Sequence, residues 1–182
     1  MEKIPWWYTE IGEAEKRSVL AALDGRHFSM GPVTAEFERQ ISQTLGAKYV
    51  VLVPSGTAAL TAALMASGVG SGDEVIVPAL TWIATANAAA ILGAKVVLVD
   101  CERELPLIDP EAVKKKISNR TKVILPVHLN GRSCELEQLR SIADECGALL
   151  IEDACKAFAS KTPKGYLGTI GELGCFSLGM IA

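Results

Sequence analysis

Residues 148–157 combine a short apolar run with two adjacent carboxylates, Glu152 and Asp153. Such a run is typical of a buried parallel strand whose carboxyl end opens into a site. A carboxylate at that position is costly unless a positive group meets it, and the protonated ring nitrogen of a cofactor is one candidate. Asp also favours the N-cap of a helix, and a cap is the simpler interpretation of Asp153 on these residues alone.

A second candidate site is Ser55-Gly56-Thr57, which follows a predicted strand and opens a predicted helix. Gly56 allows a ligand to approach the backbone closely, and the free N–H groups at a helix start can bind a phosphate. An ordinary Ser or Thr cap explains the same residues. No GxGxxG motif follows the first strand and no Walker lysine follows Gly56. Dinucleotide-binding and P-loop proteins are therefore disfavoured.

Three further residues near the ends of predicted strands each have a functional and a structural interpretation. The indole of Trp82 can stack on a planar ring or belong to the core. His128 can contact a ligand, although a structural histidine hydrogen-bonded to a loop is the simpler interpretation. The hydroxyl of Ser177 can reach a phosphate or bond to the backbone.

The elements that must position these residues alternate between strand and helix. Apolar, β-branched runs predict strands over 49–53, 74–77, 95–99, 122–127, 149–151 and 174–178. Helical spacing and stop signals predict helices over 11–24, 37–45, 58–66, 84–92, 110–117 and 135–146. The alternation predicts an α/β domain with a mainly parallel sheet and flanking helices. Ligands bind beyond the carboxyl ends of such strands, so we expect the candidate residues to meet at one edge of the sheet.

Composition limits the classes of protein. The chain has 182 residues, 49% of them hydrophobic and 21% charged, and a formal net charge of −3. These values predict a folded domain and argue against nucleic acid or an anionic membrane as the main partner. The five cysteines are scattered without a CxxC pair, which indicates neither a zinc site nor a disulfide framework. With no membrane-length apolar run and no secretory leader, we expect a reduced, cytoplasmic protein.

The adjacent aromatic residues Trp6, Trp7 and Tyr8 are a further feature of the N-terminus. Three neighbouring aromatics cannot all face one small core. They predict either a cover for a cleft or partner, or an arm packed on its own domain.

A phosphate site, a stacking ring and a carboxylate for a pyridinium nitrogen together describe a pyridoxal phosphate pocket. Ordered motifs from about residue 11 to residue 177 make this specific. They include Gly31-Pro32-Val33, Pro54-Ser55-Gly56-Thr57-Ala58, Gly72-Asp73-Glu74-Val75, Thr81-Trp82-Ile83-Ala84-Thr85, Pro126-Val127-His128, Ile151-Glu152-Asp153-Ala154 and Gly174-Cys175-Phe176-Ser177. Through them the chain resembles the N-terminal part of the DegT/DnrJ/EryC1/StrS family of sugar aminotransferases, of the aspartate aminotransferase fold type I.

The resemblance implies both a domain and a reaction. Residues 1–182 would form the large domain that binds pyridoxal 5'-phosphate, and the chain would end before the family's smaller C-terminal domain. The reaction would convert a keto sugar, linked to a nucleotide, into an amino sugar with glutamate or glutamine as amino donor. Relatives work as homodimers with the site at the interface, so a homodimer is expected.

The resemblance also implies roles for single residues. Gly56 and Thr57 would hold the cofactor phosphate, and Ser177 would add its hydroxyl. Trp82 would stack on the pyridine ring. Asp153 would pair with the ring nitrogen and keep it protonated, because each charge favours the ionised form of the other.

Two positions depart from the family pattern. Position 156 is usually Gln or His, which contacts the ring hydroxyl, whereas this chain has Lys156. Lys156 can donate to that oxygen but adds a charge beside the cofactor. The family's Schiff-base lysine lies five residues after Ser177, where this chain has Ala182. Either Ala182 replaces the lysine, or a small shift in spacing places the lysine just after Ala182. Alanine cannot bond to the cofactor or move a proton, so we expect the chain alone to be inactive.

Other functions on the same scaffold stay open at this point. They are cyclitol amination, sugar dehydration, aminohydroxybenzoate formation, and regulation or binding by a relative without the lysine. Ala182 is the feature that the last of these would explain. A nucleotide-binding dehydrogenase is a distant alternative because the glycine motif is missing.

Overall fold

The computed structural model describes residues 9–26 and 29–179 of the chain. Trp6, Trp7, Tyr8 and Ala182 lie outside these ranges. The chain divides into two units, Met1–Leu52 and Val53–Ala182.

The first unit contains two helices, α1 (Glu13–Asp24) and α2 (Pro32–Leu45). Pro32 stands at the first position of α2, where its missing N–H costs nothing. Gly46 ends this helix with a left-handed φ of 70°, a conformation that glycine adopts without strain. Both helices confirm the sequence prediction. The apolar residues of the helix predicted over 11–24 are exposed, however: Ile11, Val19, Leu20 and Leu23.

The strand predicted over residues 49–53 is wrong. This stretch has no regular secondary structure, and Tyr49 is 79% exposed. The amide N–H of Leu52 donates to the Glu38 carboxylate at 2.8 Å instead of to a neighbouring strand. A β-branched run becomes a strand only when another strand pairs with it, and none does so among the residues described.

The second unit is built on a five-stranded sheet in the order β2-β1-β3-β4-β7. Every pairing in it is parallel. The strands are β1 (Glu74–Pro78), β2 (Lys95–Val99), β3 (Thr121–Ile124), β4 (Leu149–Asp153) and β7 (Leu173–Cys175). A short antiparallel hairpin, β5 (Lys161–Thr162) and β6 (Gly165–Tyr166), precedes β7. The predicted α/β class with a mainly parallel sheet is confirmed.

Helices cover both faces of this sheet. They are α3 (Gly56–Ala66), α4 (Ile83–Ile91), α5 (Pro110–Lys114) and α6 (Leu136–Cys146). Alternate strand residues point to opposite faces and divide the core. Val75, Val77 and Ile151 belong to the cluster with α3 and α4, whereas Ile76 and Leu150 belong to the cluster with α5 and α6. The sheet is therefore the middle of three layers.

Several predicted boundaries differ from the structure by a few residues. The strand predicted over 122–127 is shorter, because β3 ends at Ile124 before Pro126, which has no N–H for a ladder. The strand predicted over 149–151 continues through both carboxylates to Asp153.

No helix in the described ranges is long and apolar enough to cross a bilayer.

Candidate functional site

A cavity lies at the carboxyl edge of the sheet. Its walls come from the segments that follow β1, β3, β4 and β7 and from the start of α3. β1 pairs with β2 on one side and with β3 on the other, so the strand order reverses at β1. Such a reversal point is a common position for ligand sites in parallel sheets. The cavity holds about 190 Å³. Pockets for drug-sized ligands hold roughly 300–1,000 Å³, so this volume suits one ring and a small anion better than a dinucleotide.

All six residues that the sequence suggested for cofactor binding line this cavity. They are Gly56, Thr57, Trp82, Asp153, Lys156 and Ser177. Four separate segments of the chain contribute them, which is how the carboxyl edge of a parallel sheet assembles a site.

The first turn of α3 presents hydrogen-bond donors at one end of the cavity. Ser55 caps the helix by accepting the N–H of Ala58 at 3.1 Å. The N–H groups of Gly56 and Thr57 have no acceptor among the described residues. Ser177, whose hydroxyl accepts the N–H of Gly179 at 3.3 Å, lies beside them and keeps its own proton for donation. Three donors can therefore meet one anion. The cap interpretation of Ser55 is confirmed, and the phosphate interpretation of Gly56 and Thr57 stays a prediction.

Gly56 has a steric role in this arrangement. A Cβ atom at this position would lie 2.9 Å from the Sγ of Cys155 and 3.0 Å from the Cβ of Ser177. Both distances are shorter than ordinary van der Waals contact. Glycine thus lets the start of α3 pack directly against the segments that follow β4 and β7.

Asp153 is the buried charge of the site, with 4% of its surface exposed. Its Oδ2 accepts the hydroxyl of Thr85 at 2.8 Å, and its Oδ1 accepts the N–H of Cys155 at 3.1 Å. No lysine, arginine or histidine forms an ion pair with Asp153 among the residues described. The N-cap interpretation of Asp153 is wrong, because residues 154–157 form a turn and not a helix. A buried carboxylate held only by neutral donors is suited to a cationic ligand group.

Trp82 stands immediately before α4 at the mouth of the cavity, and 68% of its surface is exposed. The interpretation of Trp82 as a core residue is therefore wrong. An indole in this position offers a flat apolar face to a ring that enters the cavity.

The neighbouring carboxylate, Glu152, belongs to the scaffold. It is fully buried and accepts four hydrogen bonds, from the His128 ring and from the N–H groups of Gly168, Ile170 and Gly171 at 2.6–2.8 Å. Burial opposes the charge, but the His128 bond and these backbone donors outweigh burial and lower the pKa of Glu152.

The structural interpretation of His128 is supported by both of its ring nitrogens. Nδ1 accepts the N–H of Cys134 at 3.2 Å, so the ring proton lies on Nε2 and is donated to Glu152 at 2.8 Å. His128 is fully buried and is not among the residues that line the cavity.

Two other side chains of the cavity wall follow Asp153. Lys156 is half-buried and brings a positive charge to the site. Burial, and then the charge of Asp153, raise the pKa of the Cys155 thiol, which stays protonated and is a poor nucleophile.

Thr81 and Thr85 also line the cavity and were not singled out in the sequence. The spacing of four residues between the two hydroxyls was the available signal, because it places them one helical turn apart. The bond from Thr85 to Asp153 spans 68 residues and needs the folded sheet.

The fold is one that solved aminotransferase structures share. Solved structures with this fold include a candidate sugar aminotransferase, Spr1654 from Streptococcus pneumoniae, in PLP and PMP forms. The PMP form superposes with a TM-score of 0.96 and 30% identity, over 99% of this chain and 49% of that chain.

The chain belongs to the DegT/DnrJ/EryC1/StrS aminotransferase family, whose model matches residues 9–179. It is 38% identical to GDP-perosamine synthase of Escherichia coli O157:H7, over 97% of this chain and 49% of that protein. It is 36% identical to spore coat polysaccharide biosynthesis protein SpsC of Bacillus subtilis (strain 168), over 96% of this chain and 45% of that protein. The chain thus spans about half the length of these relatives, and the family resemblance seen in the sequence is confirmed.

Proposed function

We propose that residues 1–182 form the pyridoxal 5'-phosphate-binding domain of an aminotransferase that converts a nucleotide-linked keto sugar into an amino sugar. The observation that carries this proposal is the buried Asp153 carboxylate, which has no cationic partner among the described residues and shares a cavity with a free helix N-terminus. A ligand with a cationic ring nitrogen and a phosphate would match the carboxylate at one end of the cavity and the helix N-terminus at the other. The similarity to GDP-perosamine synthase supports a sugar carried by a nucleotide.

The residues present fit this cofactor by the chemistry of their donors and acceptors. The N–H groups of Gly56 and Thr57 and the hydroxyl of Ser177 would hold the phosphate. Trp82 would cover one face of the ring. The Asp153 carboxylate would accept a hydrogen bond from the protonated ring nitrogen. When bound, pyridoxal phosphate supplies a carbonyl carbon that takes up the amino group and a ring that accepts electrons from the substrate carbon.

The chain's own residues would orient the cofactor, exclude water from the cavity and hold a proton. Asp153 would keep a proton on the ring nitrogen, because its negative charge lies in a poorly solvated position where the attraction between opposite charges is strong. Lys156 would donate to the ring hydroxyl, in place of the Gln or His of relatives.

The amino donor and the proton carrier complete the proposal. Glutamate or glutamine would supply the amino group, as the family resemblance implies. A basic side chain at or near position 182 is needed to move the proton between the substrate carbon and the cofactor, and this chain has Ala182 there. The chain alone would for this reason be inactive.

A homodimer would cover the mouth of the cavity. Three apolar residues within four positions beside the site are each more than half exposed: Leu80, Trp82 and Ile83. Such a cluster is typical of a surface that another chain covers. The five free cysteines suit a reducing compartment, so the proposal includes a cytoplasmic location.

Intact-mass spectrometry tests the proposal. The protein is expressed from its complete gene, incubated with pyridoxal phosphate and reduced with borohydride. One cofactor adduct, together with formation of 2-oxoglutarate from glutamate, supports an aminotransferase. The variant Lys156→Arg serves as control, since it should retain an adduct formed elsewhere.

Two other results would contradict the proposal in different ways. Cofactor binding without an adduct would mean that Ala182 truly replaces the lysine and that the protein does not transaminate. Absence of any cofactor binding would remove pyridoxal phosphate from the function altogether.

A further inference from the structure

Thr85 is a fully buried residue of α4 that contacts the charged group of the site directly. It lies in the first turns of the helix and reaches across to the end of β4, where its Oγ1 is 2.8 Å from Oδ2 of Asp153. A second hydroxyl, that of Thr81, lies 2.8 Å from Thr85 Oγ1. The two threonines therefore form a short chain that ends on the carboxylate.

The direction of this chain follows from donor counting. A hydroxyl has one proton to donate and can accept as well. Thr85 gives its proton to the carboxylate, so the proton between the two threonines must come from Thr81. Both threonines line the cavity, and Thr81 is half-buried whereas Thr85 is fully buried.

The other carboxylate oxygen of Asp153 is held separately. Its Oδ1 accepts the N–H of Cys155, a backbone donor whose place is set by the turn after β4. With one donor on each oxygen, the carboxyl plane is fixed from two sides. Removing the Thr85 donor frees the plane to rotate and leaves a buried oxygen without its partner.

We propose that Thr85, supported by Thr81, is a positioning residue that orients Asp153 and keeps the shared proton on the cofactor's ring nitrogen and not on the carboxylate. This inference rests on the proposed function. Donation by Thr85 stabilises the negative charge on Oδ2 and so reduces the tendency of Asp153 to take the proton. Without this donor, the pair N–H⁺···⁻O would shift toward N···H–O, with no change in the number of protons.

The test reads the proton position directly. Wild-type protein and variants are saturated with pyridoxal phosphate labelled with ¹⁵N in the ring, and the ring-nitrogen NMR signal is recorded at pH 7.5. Thr85→Val keeps the shape of the side chain and removes the hydroxyl. Its signal is expected to move toward that of a neutral ring, with cofactor affinity reduced about tenfold, the effect of one lost hydrogen bond to a charged group. Thr85→Ser, which restores the donor, is expected to retain the wild-type signal.

A matched control separates positioning from general loss of stability. Thr121→Val removes another buried threonine hydroxyl, which accepts the N–H of Ser118 at the amino end of β3, away from the cavity. It should lower stability without moving the ring-nitrogen signal. If Thr85→Val likewise leaves the signal and the affinity unchanged, the positioning role is wrong.

A second variant decides the matter if Thr85→Val does not fold. Thr81→Val removes the donor to Thr85 at a less buried position, and a smaller shift in the same direction is expected. No shift in Thr81→Val would then overturn the inference. Failure of the wild-type protein to bind the labelled cofactor would instead contradict the proposed function, so the two failures are distinguishable.

Discussion

At the residue scale, two adjacent carboxylates have opposite environments. Glu152 accepts four hydrogen bonds and is fully buried in the scaffold, whereas Asp153 accepts two and faces the cavity. Because successive residues of a strand point to opposite faces, one carboxylate faces the α6 side and the other the α3 and α4 side. The first holds the loop that leads into β7, and the second is left for a ligand.

Replacing Glu152 by Gln should destabilise the protein in a pH-dependent way. The amide NH₂ would meet backbone N–H donors, so we expect a loss of about 2–4 kcal/mol near pH 7. The pKa of Glu152 is lowered in the folded state, so its stabilising effect is present above the ordinary value of 4.5 and is lost as pH falls through the lower folded value. The difference between wild type and variant should therefore shrink below about pH 4.5.

Urea denaturation at several pH values measures this difference. Glu111→Gln is a suitable control, because Glu111 is exposed and pairs only with Lys114 in its own helix. A gap between wild type and Glu152→Gln that stays constant down to pH 3 would contradict the assigned charge.

Trp82 gives a residue-scale prediction that separates binding from stability. Its side chain is largely exposed, so Trp82→Ala should change the free energy of unfolding by less than about 0.5 kcal/mol. Loss of ring stacking, worth about 0.5–1.5 kcal/mol, should weaken pyridoxal phosphate binding roughly two- to tenfold. Ile91→Ala, at an exposed residue of α4 that does not line the cavity, should leave the affinity unchanged. An absorbance titration with equal affinity for Trp82→Ala and wild type would exclude stacking.

At the element scale, the start of α3 is packed against the ends of two strands through Gly56. Gly56→Ala should cost about 1–3 kcal/mol, because its Cβ would overlap Cys155 and Ser177. Adding Cys155→Ala removes the sulfur atom and should restore part of this loss, which makes the two changes non-additive. Denaturant midpoints of the four proteins of this cycle give the coupling. Strict additivity would show that the helix start relaxes away from the turn after β4.

The sequence predicted most of the elements because their apolar periodicity coincides with burial. The prediction of a strand over 49–53 was wrong because β-propensity does not specify which strand will pair with it. The hairpin at residues 161–166 was missed, since its strands have two residues each and carry no period.

The site was predicted in part. Asp153 and Ser177 lie at or near the ends of β4 and β7, so their meeting at one edge could be foreseen from the alternation of elements. Gly56 and Thr57 were expected there from the strand predicted over 49–53, which was wrong, and the start of α3 brings them to the cavity instead. The exposure of Trp82 could not be foreseen, because apolar character alone suggests a core. The Thr85–Asp153 bond was missed because nothing local in the sequence relates residues 68 positions apart.

At the scale of the whole molecule, the exposed cluster Leu80, Trp82 and Ile83 predicts self-association. We expect sedimentation velocity to show a concentration-dependent dimer, strengthened by pyridoxal phosphate if the partner covers the cavity. Ile83→Glu should shift the protein toward monomer, whereas Leu105→Glu, which adds the same charge in an exposed loop, should not. A monomer at every concentration would contradict the proposed assembly.

The order of the strands has a consequence for synthesis on the ribosome. β1 and β2 pair first, and then β3, β4 and β7 each join the same growing side, so no existing pair has to open for a later strand. The nascent chain can therefore assemble its sheet in the order in which residues emerge. The proposed phosphate site is completed last, when Ser177 arrives beside Gly56. A chain stopped after residue 160 should already protect the β1 and β3 amides from hydrogen exchange, while cofactor capture waits for the final strand.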